Sequence, residues 1–137
     1  MKKVVFICHI LLTSVLYISC VYRKIEKPLP EKEICFGTST DSAMFKKHIV
    51  PIILSNCANP GCHSGPNPEG NINLEAGNAY KNLTNKSRGY LDTLNPEYSL
   101  LYNSLTSPAN IMPPTGKMDD CKIETITKWM RQKAKNN

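Results

Sequence analysis

Apolar residues recur along this chain at intervals of three and four positions, the spacing that places side chains on one face of an α-helix. Asp41 or Ser42 suits the N-cap of a first helix. Pro51 interrupts this helical pattern, and since proline lacks a backbone N–H, we expect a kink or a break there. The apolar positions of this first set are Met44, Phe45, Ile49, Ile52 and Ile53.

Three further helices are predicted downstream. A short one covers 78–83, another starts at Asn95-Pro96, where a capping residue precedes proline, and the last starts at Asp119 or Asp120. Strand-like alternation nowhere persists for more than a few residues, so the pattern predicts an all-α fold. The expected inward positions of the last two helices are Tyr98, Leu101, Tyr102, Leu105, Ile123, Ile126, Trp129 and Met130.

Two long irregular segments, 64–73 and 107–116, are rich in proline and glycine. Ile72 and Leu74 are expected to return the chain to the core after the first of them. Loops of this length are unusual in a small domain without a functional reason. Loops wrapped around a large buried prosthetic group would provide that reason.

The N-terminal 19 residues have the pattern of a targeting segment. Lys2 and Lys3 precede a mostly apolar run that is short for a membrane span. The run ends at Ile18-Ser19-Cys20, which resembles the lipobox of bacterial lipoproteins, in which the cysteine carries the lipid. We expect a signal peptide over 1–19, an extended tether over 20–33 and one domain over 34–137. The alternatives are an uncleaved membrane anchor and an ordinary secretory signal.

The charge of the chain is moderately positive. There are 17 Lys and Arg against 11 Asp and Glu, a net charge of +6, which falls to +4 if Lys2 and Lys3 are removed with the signal. The excess gathers near the C-terminus, where a solvated helix face explains it better than steering toward an acidic partner. Nothing resembles an arginine-rich nucleic-acid surface with interleaved aromatic residues.

The stretch 57–63 contains the most informative chemistry. Cys57 and Cys62 are followed at once by His63, an order typical of covalent haem attachment, although the usual C-x-x-C-H spacing is two residues shorter. In that chemistry each thiol adds to a haem vinyl group, and the histidine coordinates the iron from the proximal side. Asn59-Pro60-Gly61-Cys62 suits a type II turn, which would fold the extra residues away and keep the thiols together.

A sixth iron ligand is expected from a distant part of the chain. Met112 is the first candidate, because it lies in the stiff segment Ile111-Met112-Pro113-Pro114 and lacks the helical spacing of a core residue. Met118 is the second candidate, and His48 is a weaker one beside two lysines.

The six cysteines divide into consistent roles. Cys8 leaves with the signal peptide, Cys20 takes the lipid, and two take the haem. Cys35 and Cys121 remain, and in an exported, oxidising compartment a disulfide between them is the simplest pairing.

The chain from about 45 to 133 resembles the small mono-haem c-type cytochrome domains found in lipoproteins of Bacteroidetes and planctomycete-type bacteria. The resemblance rests on three blocks: Ile49-Val50-Pro51-Ile52-Ile53 with the 57–63 motif, Asn95-Pro96-Glu97-Tyr98-Ser99-Leu100-Leu101-Tyr102, and 112–118 followed by 123–130. Such domains also use C-x-x-x-x-C-H. The resemblance implies a cytochrome c-like fold around one haem c, with the Met112 position as distal ligand.

These features favour a membrane-anchored electron-transfer protein over an enzyme, since no nucleophile and base recur at a telling spacing. We expect a monomer that meets redox partner proteins on the bacterial cell envelope, facing the periplasm or on the outer membrane. One alternative is a haem-based sensor of small ligands with an open sixth site. Another is a binding module with a Cys57–Cys62 disulfide, or with zinc held by Cys57, Cys62 and His63 together with Cys121 or His48.

Overall fold

The structure is a computed structural model, and it describes residues 41–137. The chain divides into two units, of which the second, Lys32–Asn137, contains all of the described residues. The predicted signal peptide over 1–19, the tether over 20–33, and the residues Cys20 and Cys35 lie outside the described part. Those predictions, with their boundaries, stay predictions.

Helices and turns make up the described part of the chain. Four α-helices are connected by irregular segments: α1 (Val50–Asn56), α2 (Ala79–Leu83), α3 (Leu100–Thr106) and α4 (Asp120–Arg131). Short 3₁₀ turns occupy Glu69–Asn71, Lys86–Arg88, Pro96–Tyr98 and Pro108–Asn110. Residues 41–137 contain no strand, so the predicted all-α class is confirmed for this part. No helix within it has the length and hydrophobicity needed to span a bilayer.

The first helical segment begins later than predicted. Neither Asp41 nor Ser42 is its cap, because helical geometry starts at Phe45, after an extended Met44 with no side-chain cap. The amides just before this start bind distant groups instead. The Ala43 N–H donates to Gln132 Oε1, and the Phe45 N–H donates to Asn137 Oδ1, each at 2.9 Å. These tertiary contacts satisfy the donors that a local cap would otherwise have served.

The break expected at Pro51 is confirmed as a change of helix type. Phe45–Ile49 forms one π-helical turn, and α1 follows with Pro51 in its first turn. That position suits proline, because an amide in the first turn of a helix has no partner within the helix. The widened turn and the proline therefore lie at the same junction, directly upstream of Cys57.

The helix predicted from Asn95-Pro96 is divided in two. A 3₁₀ turn over Pro96–Tyr98 stops at Ser99, whose extended backbone starts α3 instead. The buried Ser99 hydroxyl donates to Pro96 O at 2.6 Å and accepts from the Tyr102 N–H at 3.2 Å. The division turns Tyr98 outward, and it is 82% exposed, so its predicted inward position is wrong.

The core forms around the inner face of α4. Trp129, fully buried, lies against Phe45 with ring centroids 5.2 Å apart, and Phe45 meets Tyr80 edge-on at 5.1 Å. The Asp119 carboxylate caps α4 by accepting from the Cys121 N–H at 2.8 Å, as predicted. The predicted core positions that are confirmed as buried are Phe45, Ile49, Ile53, Ile72, Leu74, Leu105, Ile123, Ile126, Trp129 and Met130.

The last residues return to the start of the described part, and we call residues 132–137 the C-terminal clasp. In addition to the bonds from Ala43 and Phe45, the Lys46 N–H donates to Asn137 O at 2.9 Å. Tyr80 Oη donates to Ala134 O at 3.0 Å, and Trp129 Nε1 donates to Lys135 O at 2.8 Å. The clasp thus joins the π-helical turn, α2 and α4.

Candidate functional site

The two thiols of the 57–63 motif are brought together by a tight turn. Cys57 is the C-cap of α1, and its N–H donates to Ile53 O at 2.8 Å. The Cys62 N–H then donates to Asn59 O at 2.9 Å, and Gly61 has φ of +78°. This bond and the positive φ at the third residue are those of the predicted type II turn, which is confirmed.

We expect Gly61→Ala to destabilise the turn through its backbone alone. An added Cβ would meet no atom within 4 Å, so the cost comes from the left-handed conformation, about 1–2 kcal/mol for an L-residue. Gly89 has φ of +65° and equally open surroundings, and it lies outside the motif. Gly89→Ala is therefore the matched control in urea unfolding. Only Gly61→Ala is expected to lower the yield of attached haem as well, and equal yields would contradict this.

His63 is held in one defined tautomer. Its Nδ1 lies 2.9 Å from the backbone carbonyl oxygen of Glu69. A carbonyl oxygen only accepts, so the bond requires the proton on Nδ1 and leaves the lone pair of the neutral ring on Nε2. Metal-bound histidines make this kind of bond through the nitrogen that does not bind the metal. The hydrogen bond thus leaves Nε2 as the ring nitrogen that could bind a metal.

The backbone of Glu69 contacts the motif at two points. Its N–H donates to Cys62 O at 2.9 Å, while its carbonyl accepts from the adjacent residue, His63. The sequence reasoning missed this role of Glu69, because every residue has a carbonyl and no side-chain pattern marks the one that is used. The only local hint is the turn signal of Pro68 and Gly70 around it.

Both motif cysteines are free thiols, so the predicted alternative of a Cys57–Cys62 disulfide is not the state of this structure. Burial, and secondarily the neighbouring Cys62, raise the pKa of the Cys57 thiol to about 11. Cys57 therefore stays protonated at neutral pH. Because the thiolate is the reactive form in disulfide exchange, such a thiol reacts slowly in that exchange at neutral pH.

The two candidate methionines have different surroundings. Met112 is 39% exposed, and its backbone N–H donates to Ser104 O in α3 at 2.7 Å. Met118 is 6% exposed and belongs to the hydrophobic core. A sulfur that must reach a bound metal needs an accessible position, so this difference favours Met112. His48 Nδ1 accepts from the Met44 N–H at 2.9 Å, so this ring nitrogen is already hydrogen-bonded to the backbone at the start of its own helical turn.

The arrangement gives no support to the zinc alternative. Within residues 41–137, no three His, Cys, Asp or Glu side chains are grouped as a metal ion would require. Cys121, one of the proposed additional ligands, is disulfide-bonded. Its predicted partner, Cys35, lies outside the described residues, so that pairing stays a prediction.

A surface cavity of about 330 Å³ lies apart from the motif. It is bounded by the C-terminal clasp and the residues that the clasp meets, and its lining residues are Ser42, Ala43, Gln132, Lys133, Lys135 and Asn137. None of these residues belongs to the 57–63 motif or to the candidate ligand set. The cavity therefore adds nothing to the chemistry of the site.

The donor set fits a covalent haem. The 57–63 motif offers two reduced thiols on either side of a turn and an imidazole whose Nε2 lone pair is available. Met112 offers an exposed thioether elsewhere in the chain. Comparison with known proteins adds no assignment, since no family model, curated protein or solved structure matches the chain.

Proposed function

We propose that this chain is a c-type cytochrome that transfers single electrons. Cys57 and Cys62 would hold one haem through thioether bonds, and His63 would bind its iron from the proximal side. The single observation that carries the proposal is the bond from His63 Nδ1 to Glu69 O, directly beside two free thiols. A histidine that served only the fold would not need its Nε2 kept free next to a thiol pair.

Each residue of the site has a separate task in this proposal. When bound, the haem supplies an iron that cycles between the ferrous and ferric states. The Glu69 carbonyl would make the His63 ring more electron-rich by accepting a hydrogen bond from its Nδ1–H. Met112 would supply the distal ligand, and a His/Met pair favours a higher reduction potential than two histidines do. If His63 and Met112 both bound the iron, no site would remain there for a substrate, which is why we propose transfer rather than catalysis.

We further propose that the domain works at a bacterial membrane surface as a monomer. Lipid on Cys20 would anchor it, the tether over 20–33 would hold it away from the bilayer, and a disulfide from Cys35 to Cys121 would fasten the start of the domain to α4. The sequence pattern that ends at Ile18-Ser19-Cys20 supports the anchor. The partners would be redox proteins of the same cell envelope.

A denaturing gel stained for haem peroxidase activity tests the proposal. The full chain is made in a bacterial host that has cytochrome c maturation machinery. Only haem attached by thioether bonds survives denaturation, so a stained band at the size of this chain is expected. A colourless protein from that host would overturn the proposal, and its zinc content would then decide whether a metal module remains.

A further inference from the structure

The loop that presents the Glu69 carbonyl is closed by side chains that the haem motif does not include. We call Gly65, Asn73 and Glu75 the loop clamp. The Gly65 N–H donates to Glu75 Oε1 at 3.1 Å, and Asn73 Nδ2 donates to Gly65 O at 3.1 Å. Both backbone groups of Gly65, at the start of the loop, are therefore held by residues at its end.

The clamp residues also bind each other, and side chains at α2 bind Asn73. Asn73 Nδ2 also donates to Glu75 Oε2 at 3.2 Å, and the Glu75 N–H donates to Asn73 Oδ1 at 2.9 Å. From α2, Asn82 Nδ2 donates to Asn73 O at 2.6 Å, and from the residue before α2, Asn78 Nδ2 donates to Asn73 Oδ1 at 3.3 Å. Since Ala79 and Leu83 are buried, α2 is a rigid base for these bonds.

We propose that Glu75 and Asn73 are positioning residues for His63, because they hold the loop whose Glu69 carbonyl accepts the hydrogen bond from His63 Nδ1–H. The inference rests on the proposed role of His63 as an iron ligand. The Leu74 N–H donates to His63 O at 2.7 Å, so the segment that follows Asn73 is also attached directly to the motif. Between those two anchored ends, the two backbone bonds of Glu69 connect the loop to Cys62 and His63.

The chemistry of the clamp explains why a glutamate stands at 75. One carboxylate accepts from a backbone N–H with one oxygen and from an amide side chain with the other. A glutamine keeps the first bond, because its Oε1 accepts equally well, but its NH₂ group cannot accept from Asn73 Nδ2. Glu75→Gln and Glu75→Ala remove the same charge, so the difference between them does not come from charge and reports the loss of the Gly65 bond together with the rest of the side chain.

The test measures the tautomer of His63 from its ring nitrogen chemical shifts in the reduced, haem-free full chain. The wild type is expected to show protonated Nδ1. In Glu75→Ala the fraction with protonated Nε2 should rise severalfold, and in Glu75→Gln it should rise less. Glu97→Ala is a control, because Glu97 forms an ion pair with Arg131, which is not part of the loop. Circular dichroism verifies that each variant keeps its helices. If Glu75→Ala unfolds, the His63 tautomer in Glu75→Gln is compared with that in the wild type, and this comparison decides the positioning role.

A second readout uses the haem-loaded protein. A weaker bond to the Glu69 carbonyl makes His63 a poorer electron donor, so the reduction potential should be higher in Glu75→Ala than in Glu75→Gln. Unchanged tautomers in both Glu75 variants would overturn the positioning role while leaving haem attachment intact. Absence of haem stain together with the tautomer shift would instead overturn the proposed function and leave the positioning role standing.

Discussion

Replacing both Cys57 and Cys62 by serine is expected to abolish covalent haem completely, with no stained band on a denaturing gel. Each single replacement should leave one thioether and a reduced yield. A vinyl group that has not reacted stays conjugated with the porphyrin, so the single variants should absorb at longer wavelength than the wild type after extraction into alkaline pyridine. The spectrum thus counts the thioether bonds that each variant retains.

Ser55→Ala is the matched control for this experiment. Ser55 is exposed, lies two positions before Cys57, and uses its hydroxyl only for bonds to Pro51 O and Ile52 O and from Asn56 within α1. Its replacement should leave the stain unchanged. A double serine variant that still carried denaturation-resistant haem would refute the assignment of both thiols.

Met112→Ala and Met118→Ala are expected to change different properties: the first the chemistry of the haem iron, the second the stability of the fold. Loss of the Met112 sulfur should lower the reduction potential by on the order of 0.1 V and let carbon monoxide bind the ferrous haem rapidly. The same change should alter unfolding of the haem-free chain little, because Met112 is 39% exposed. Met118→Ala opens a cavity in the core and should cost about 2–5 kcal/mol in urea unfolding, with little change in potential.

Met118→Leu keeps the side-chain volume and should cost less than about 1.5 kcal/mol, which separates packing from ligation. If Met118→Ala were the variant that opened the iron to carbon monoxide, Met118 would be the ligand. If the wild type already bound carbon monoxide rapidly and completely, the sixth site would be open. The sensor function would then replace electron transfer.

Features set by neighbouring residues were predictable from the sequence. The inner face of α4 follows from helical spacing, and its cap follows from Asp119 directly before it. The turn that joins the two thiols follows in the same way from Pro60 and Gly61, whose backbone preferences are local. At each of these positions the local preference and the tertiary contacts agree.

Predictions from the sequence were wrong where contacts with distant residues determine the local structure. Asn95-Pro96 is a strong local start for a helix, but the buried Ser99 hydroxyl also reaches Met130 Sδ at 3.7 Å, and Ser99 is the N-cap of α3. The cap predicted at Asp41 or Ser42 failed because the donors nearby are bound by the C-terminal clasp, about ninety residues further along the chain. Such contacts leave no trace in a local pattern.

If the chain is exported as proposed, the C-terminal clasp has a consequence for the order of events. An exported chain would emerge from its translocation pore with residue 57 well ahead of residue 132, so the thiols would leave the pore before the clasp does. Until the clasp arrives, the π-helical turn and α2 lack partners that hold them in place. If haem is attached as proposed, we therefore expect the attachment machinery to meet an open chain, which would close around the haem only when residues 132–137 arrive.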